Sequence, residues 1–121
     1  TLDAELDLQH VDGRFWKVLK QFGPFGPENP KPLFWGRDLR LVGPPRTVGK
    51  DGGHLKLRVA QRGGGGVYPV IGFGLGERLP LMQQSARDGR PVELAFCVEE
   101  NHWNGRTELQ LKAKDVRLQE S

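Results

Sequence analysis

The sequence predicts a mainly β domain: a small five-stranded barrel with a short helix between its third and fourth strands, preceded by an N-terminal strand and helix. Three observations predict it. Seventeen Gly and nine Pro in 121 residues, against one Met, fit many turns and short strands rather than a helical bundle. Apolar residues alternate with polar ones along several short stretches, the period of a half-buried strand. The last two stretches form one long hairpin, Val92 to Leu118. A chain of this length is one domain, burying roughly two-thirds of the surface its unfolded form exposes.

The opening stretch alternates Leu2, Ala4, Leu6 and Leu8 with Asp3, Glu5, Asp7 and Gln9, a short strand whose partner can lie outside this sequence. Val11, Phe15, Val18, Leu19 and Phe22 follow at helical spacing, with Asp12 placed to cap the start. The helix stops at Phe22-Gly23-Pro24-Phe25-Gly26-Pro27-Glu28-Asn29-Pro30-Lys31-Pro32, where Pro and Gly forbid helix or central strand. Its two Phe residues favour an ordered elbow over a flexible linker. Trp16 and Trp35 read as packing residues at the junction of helix and barrel.

Leu33 to Val42 is the first barrel strand, with Leu39 and Leu41 inward, and 43–53 is a loop. The second strand places Leu55, Leu57 and Val59 on one face and His54, Lys56, Arg58 and Ala60 on the other. Gly63–Gly66 is a flexible hairpin tip. Val67 to Gly74 is the third strand, in which Pro69 marks an edge or a bulge. Leu75, Leu79 and Met82 give the short helix, ended by the polar Ser85-Ala86-Arg87-Asp88-Gly89. In the closing hairpin Val92, Leu94, Phe96 and Val98 oppose Glu93, Ala95, Cys97 and Glu99, and Leu109, Leu111 and Ala113 alternate with Glu108, Gln110, Lys112 and Lys114. Glu100 to Arg106 joins the two runs, with Asn104-Gly105 as the turn signal. Beyond Ala113 the apolar parity moves to Val116 and Leu118, as one extra residue near Lys114-Asp115 produces.

Several function classes are excluded on sequence. The longest apolar run is a few residues, too short to span a membrane. No basic-then-apolar leader opens the chain, which argues against secretion, and the lone Cys97 reads as a plain thiol. The expectation is a soluble cytoplasmic protein. Gly43 to Lys50 resembles a phosphate loop, but five residues separate Gly43 from Gly49 where four are needed, and Asp51 stands where a Ser or Thr should be. His10, His54 and His102 are scattered, and the two serines, Ser85 and Ser121, sit in no nucleophile setting. No catalytic residue and no metal or cofactor site is expected in this chain.

Charge carries more information. Residues 31–62 hold eight cations against Asp38 and Asp51, a net of +6, so with a total of +3 the remainder carries −3. A basic segment in an otherwise slightly acidic chain suits a polyanion. Three strands, a helix and two more strands is the order of an OB-fold, which binds oligonucleotides or oligosaccharides on its second and third strands and on the loops joining strands 1–2 and 4–5. Those parts here carry His54, Lys56 and Arg58, then Arg46 and Lys50, then Trp103 and Arg106, with Lys112 on the last strand. These eight residues are the candidate nucleic-acid site. Trp103 can stack on a base or fold back over the barrel mouth. Phe73 reads as core ahead of stacking platform.

The elbow at 22–32, Val48-Gly49-Lys50-Asp51-Gly52 running into His54-Leu55-Lys56, Ile71-Gly72-Phe73-Gly74, and Trp103-Asn104-Gly105-Arg106 with Leu109-Gln110-Leu111 together resemble the carboxyl-terminal part of the RecJ family of single-strand-specific 5′→3′ DNA exonucleases. Glu28 stands where that family commonly has Gly, and Gly63–Gly66 is an insertion. The resemblance implies an OB-fold domain that holds single-stranded DNA and feeds it to a separate catalytic core in DNA repair and recombination. That core would carry DHH and DHHA1 modules with Mn or Mg. Residues 1–32 would be the connection to the core and 33–121 the binding barrel. The partners implied are single-stranded DNA and the catalytic core in cis, with no membrane. The alternative is a docking module that packs on the nuclease core or recruits a partner such as a single-strand-binding protein.

Overall fold

In the computed structural model, residues 4–120 are described; Leu2 and Asp3 of the expected opening strand lie outside them. Strand β1 (Ala4–Glu5) pairs in parallel with Phe34 and Trp35, so its partner is within the chain and no outside strand is needed. A 3-10 turn at Leu8–His10 then leads into helix α1 (Gly13–Lys20). Asp12 caps α1 as expected, its carboxylate accepting from the Phe15 N–H at 2.8 Å. Phe15, Trp16 and Leu19 turn toward the core, whereas Val18 and Phe22 remain 52% and 65% exposed.

The strands are β2 (Phe34–Leu41), β3 (Arg46–Val48), β4 (His54–Gln61), β5 (Val67–Gly72), β6 (Val92–Trp103) and β7 (Arg106–Leu118), with helix α2 (Leu79–Asp88) between β5 and β6. Their pairings run β2–β6–β7–β5–β4 and return from β4 to β2, with β5 and β7 parallel. This is the expected OB arrangement, mainly β with one helix between the third and fourth circuit strands. Leu55, Leu57 and Val59 of β4 point inward with Val70, Leu94, Phe96, Val98 and Leu111, all buried. Phe34 links this core to α1, its ring centroid 5.9 Å from Phe15 and 6.2 Å from Phe96. Leu8 and Val11 join the same core, tied by the Leu8 N–H to Gln61 and by the Tyr68 hydroxyl, which donates to the Val11 carbonyl.

Several local expectations are met and others corrected. The elbow is ordered: Gly26 and Asn29 exchange backbone hydrogen bonds at 2.8 and 3.0 Å, and the Asn29 amide donates to the Phe22 and Pro24 carbonyls. Asn104 and Gly105 both have positive φ, the two-residue turn that matches strand twist, and the strands run right up to it rather than ending at a seven-residue connection. Between Ala95/Asp115 and Phe96/Ala113 the register shifts, leaving Lys114 as the extra residue. Arg46–Val48, expected as loop, is strand β3; three residues between Pro45 and Gly49 are too few to display alternation. Ser85 to Asp88 is helix, not turn, because the Ser85 hydroxyl is internally satisfied by the Arg90 carbonyl, and Gly89 at φ +73 makes the stop. Trp35 is not at the helix junction: it sits on the outer face of β2, covered by Arg117 at 4.6 Å from its ring. That arginine and Arg37 both donate to Glu93.

Candidate nucleic-acid interface

The ladder lines up one level of residues across five strands. Arg46 of β3 pairs with Lys56 of β4, Lys56 with Ile71 of β5, Ile71 with Lys112 of β7, and Lys112 with Cys97 of β6. Opposed residues share a face, so three cations lie along one outer row, with adjacent strands about 4.8 Å apart. The short strand β3 is what places Arg46 beside Lys56.

Beside this row lies a groove of about 790 Å³ lined by Arg46, Lys56, Arg58, Val67, Pro69 and Trp103, with Asn101 and Glu108 on the hairpin side. Its origin is a divergence of strands. β5 and β7 are partnered at Val70–Leu111 and Ile71–Lys112, while Pro69 pairs only with Arg58 on the β4 side. Pro69 has no N–H to offer β7, so the sheet parts there, a locally open edge as its residue type predicts. The β6–β7 hairpin continues past this point and carries Trp103 to the rim. That indole is 70% exposed, so it does not fold back over the barrel.

The groove therefore gathers four of the eight candidates: Arg46, Lys56, Arg58 and Trp103. His54 and Lys112 assemble elsewhere, around Phe73. The His54 ring stands edge-on to Phe73 at 5.2 Å, and the Lys112 ammonium lies 5.6 Å from the Phe73 centroid. Phe73 is 56% exposed beyond the end of β5, which overturns its reading as core. Alternation agrees with this exposure: Ile71 lies in the outer row, so Phe73, two residues on, falls on the same side, just past the end of the strand at Gly72. Lys50 is exposed in the β3–β4 turn, and Arg106 is exposed opposite Trp103 in the ladder; neither lines the groove.

The same outer face also carries Glu99. Burial opposes its charge, but hydrogen bonds from Gln110 and Lys31 and the positive charge of Lys31 and Lys112 hold its carboxyl below the usual range. The Lys31–Glu99 pair, 3.2 Å, also pins the elbow to β6. Cys97, at the end of the row, is buried, and that burial pushes its thiol up despite Lys114, Lys31 and Lys112. It is a protonated, unreactive group at neutral pH.

A family model described as the RecJ OB domain matches residues 2–115. The chain belongs to this family. Two single-stranded-DNA-specific exonucleases named RecJ are similar to it: that of Dickeya dadantii is 36% identical over 109 residues, 90% of this chain and 18% of that protein, and that of Salmonella typhimurium is 32% identical over 114 residues, 94% and 18%. The RecJ crystal structure from Thermus thermophilus in complex with Mn2+ superposes with a TM-score of 0.68 at 28% identity, covering 99% of this chain and 16% of that one. Its Mg2+ complex gives 0.67 at 27%, covering 99% and 17%. This RecJ OB domain thus spans about a fifth of the relatives it matches. Among its described residues no group of three or more His, Cys, Asp or Glu gathers to hold either metal, and no described helix is long and apolar enough to cross a membrane.

Proposed function

We propose that this RecJ OB domain binds single-stranded DNA in the groove between β4–β5 and the β6–β7 hairpin, holding and guiding the strand for a catalytic core outside this chain. The observation that carries the reading is the meeting of Arg46, Lys56 and Arg58 with an exposed Trp103 around one groove. Cations release counterions from phosphates, and an indole stacks on an unpaired base; a duplex, its bases already stacked, gains only the first. Glu108 on the rim opposes phosphate there and favours the base side of the strand. No cleavage is assigned to this chain. The Mn or Mg chemistry of the parent exonuclease would belong to DHH and DHHA1 modules elsewhere.

Charge reversal, Lys56→Glu with Arg58→Glu, is the test. Loss of single-stranded DNA affinity with an unchanged unfolding midpoint supports the proposal; unaltered affinity sinks it. The exposed pair Val18 of α1 and Phe22 just beyond it favours a second reading in which this end of α1 docks on the nuclease core or on a partner such as a single-strand-binding protein. Under that reading alone, Val18→Ser with Phe22→Ser abolishes the protein contact and the charge reversal leaves DNA affinity untouched.

A further inference from the structure

The turn after β5 is built rigidly around an aromatic that it leaves in water. A Cβ on Gly72 would fall 2.8 Å from Leu75 Cδ1 and 3.2 Å from Leu75 Cβ, so the Leu75 side chain packs closely over the end of the strand. Gly74 takes φ +74, and Gly76 lies against Gly52 and Gly53, donating its N–H to the Gly53 carbonyl at 3.0 Å. His54 Nδ1 accepts from the Gly74 N–H at 3.0 Å while its ring braces Phe73. Gly74, Gly76 and the His54 imidazole therefore hold the turn in a shape that leaves more than half of Phe73 exposed. An aromatic ring held away from the core, at the apex of a turn locked to its neighbour, leaves a π-face open to a stacking partner. The Lys112 ammonium beside it belongs to the same row as Lys56 and Arg46.

We propose that Phe73 is a second nucleobase-stacking platform, with Lys112 taking the adjoining phosphate. This rests on the reading of the groove as a DNA site and extends it to the other side of the cationic row. His54 precedes Lys56 by two residues on the same face, and Arg58 follows it by two, so Phe73 and Trp103 flank the row on opposite sides. Lys112 lies six residues along β7 from Arg106, the ladder partner of Trp103, which is about 20 Å of strand. A single strand reaching both rings must be at least about four nucleotides long, the lower end of what one OB barrel covers. Lys112 leaves the ring face readily when a base arrives, because a cation–π contact at 5.6 Å is weak beside base stacking.

The experiment measures binding of oligothymidylates of about 3 and about 10 nucleotides by anisotropy, for the wild type and for Phe73→Ala, Phe73→Leu, Phe73→Trp and Lys112→Ala. Phe73→Ala should lose about tenfold on the longer oligonucleotide and little on the shorter, with its salt dependence unchanged. Phe73→Trp should restore affinity and add a fluorescence quenched by DNA, whereas Phe73→Leu, equally apolar, should not. Lys112→Ala should reduce the salt slope by about 0.7. Wild-type binding with Phe73→Ala indistinguishable on both lengths, while the Lys56/Arg58 reversal weakens both, overturns this inference and leaves the groove; Phe73 is then a protein contact. No wild-type binding at low salt overturns both.

Discussion

Gly76→Ala probes the joint on which the candidate site is mounted. Gly76 is not in the left-handed region, so alanine is unfavourable there for want of space alone. Its Cβ would sit on the Gly52 carbonyl oxygen and 2.9 Å from the Gly53 carbonyl carbon. Both obstacles are backbone and cannot rotate aside, so the β3–β4 turn and the turn after β5 must separate. Separation costs overpacking strain of about 1–3 kcal/mol and the Gly76–Gly53 hydrogen bond, about 1 kcal/mol, together about 2–4 kcal/mol. Urea unfolding should show the free energy of unfolding lowered by that amount, read as a lower midpoint at unchanged slope. The same separation slackens His54 and Phe73, so single-stranded DNA affinity of the folded variant should also fall. Gly13→Ala is the internal comparison: nothing lies within 4 Å of its added Cβ, and it should stabilise by about 0.4–1 kcal/mol. A Gly76→Ala loss under about 0.5 kcal/mol would refute the close packing of the two turns.

Two further predictions concern the outer face. Trp103→Ala should leave the unfolding midpoint unchanged, since the indole is mostly in water, while weakening single-stranded DNA binding by about 1–3 kcal/mol; equal affinity in anisotropy would remove Trp103 from the site. Glu99 has a folded-state pKa below its ordinary 4.5, so its contribution is present above 4.5 and disappears as pH falls through the lowered value. Glu99→Gln should therefore flatten the acid limb of the stability profile in that window and speed amide exchange in the elbow that Lys31 pins; an unaltered acid limb would contradict the assignment.

The fold was legible where the chain alternates without interruption. β4, β6 and β7 announce themselves through Leu55-Leu57-Val59, Val92 to Val98 and Leu109 to Ala113, and Asn104-Gly105 names its own turn. Even the Lys114 bulge shows, because it shifts the parity of Val116 and Leu118. What stayed hidden depends on contacts distant in sequence. The alternation of apolar and acidic residues at the start of the chain could not reveal that Ala4 and Glu5 pair with Phe34 and Trp35. A second bulge, between Gly36 and Leu39, needs Asp38 at positive φ and Gln61 donating to the Arg37 carbonyl. The candidate site divides the same way. Residue type and topology selected Arg46, Lys56, Arg58 and Trp103, which the groove gathers; the grouping of His54 and Lys112 around Phe73 depends on the β4–β5–β7 register, which pairs strands distant in sequence.

The most direct measurement of the central claim is anisotropy of a labelled single-stranded oligonucleotide titrated with this chain at about 50 and about 200 mM salt, with a matched duplex alongside. Four phosphate contacts, from Arg46, Lys56, Arg58 and Lys112, predict a logarithmic slope of about −2.8, about 50-fold weaker binding at the higher salt, and weaker binding of the duplex throughout. Absence of binding at the lower salt, or equal affinity for duplex and single strand, would contradict the account.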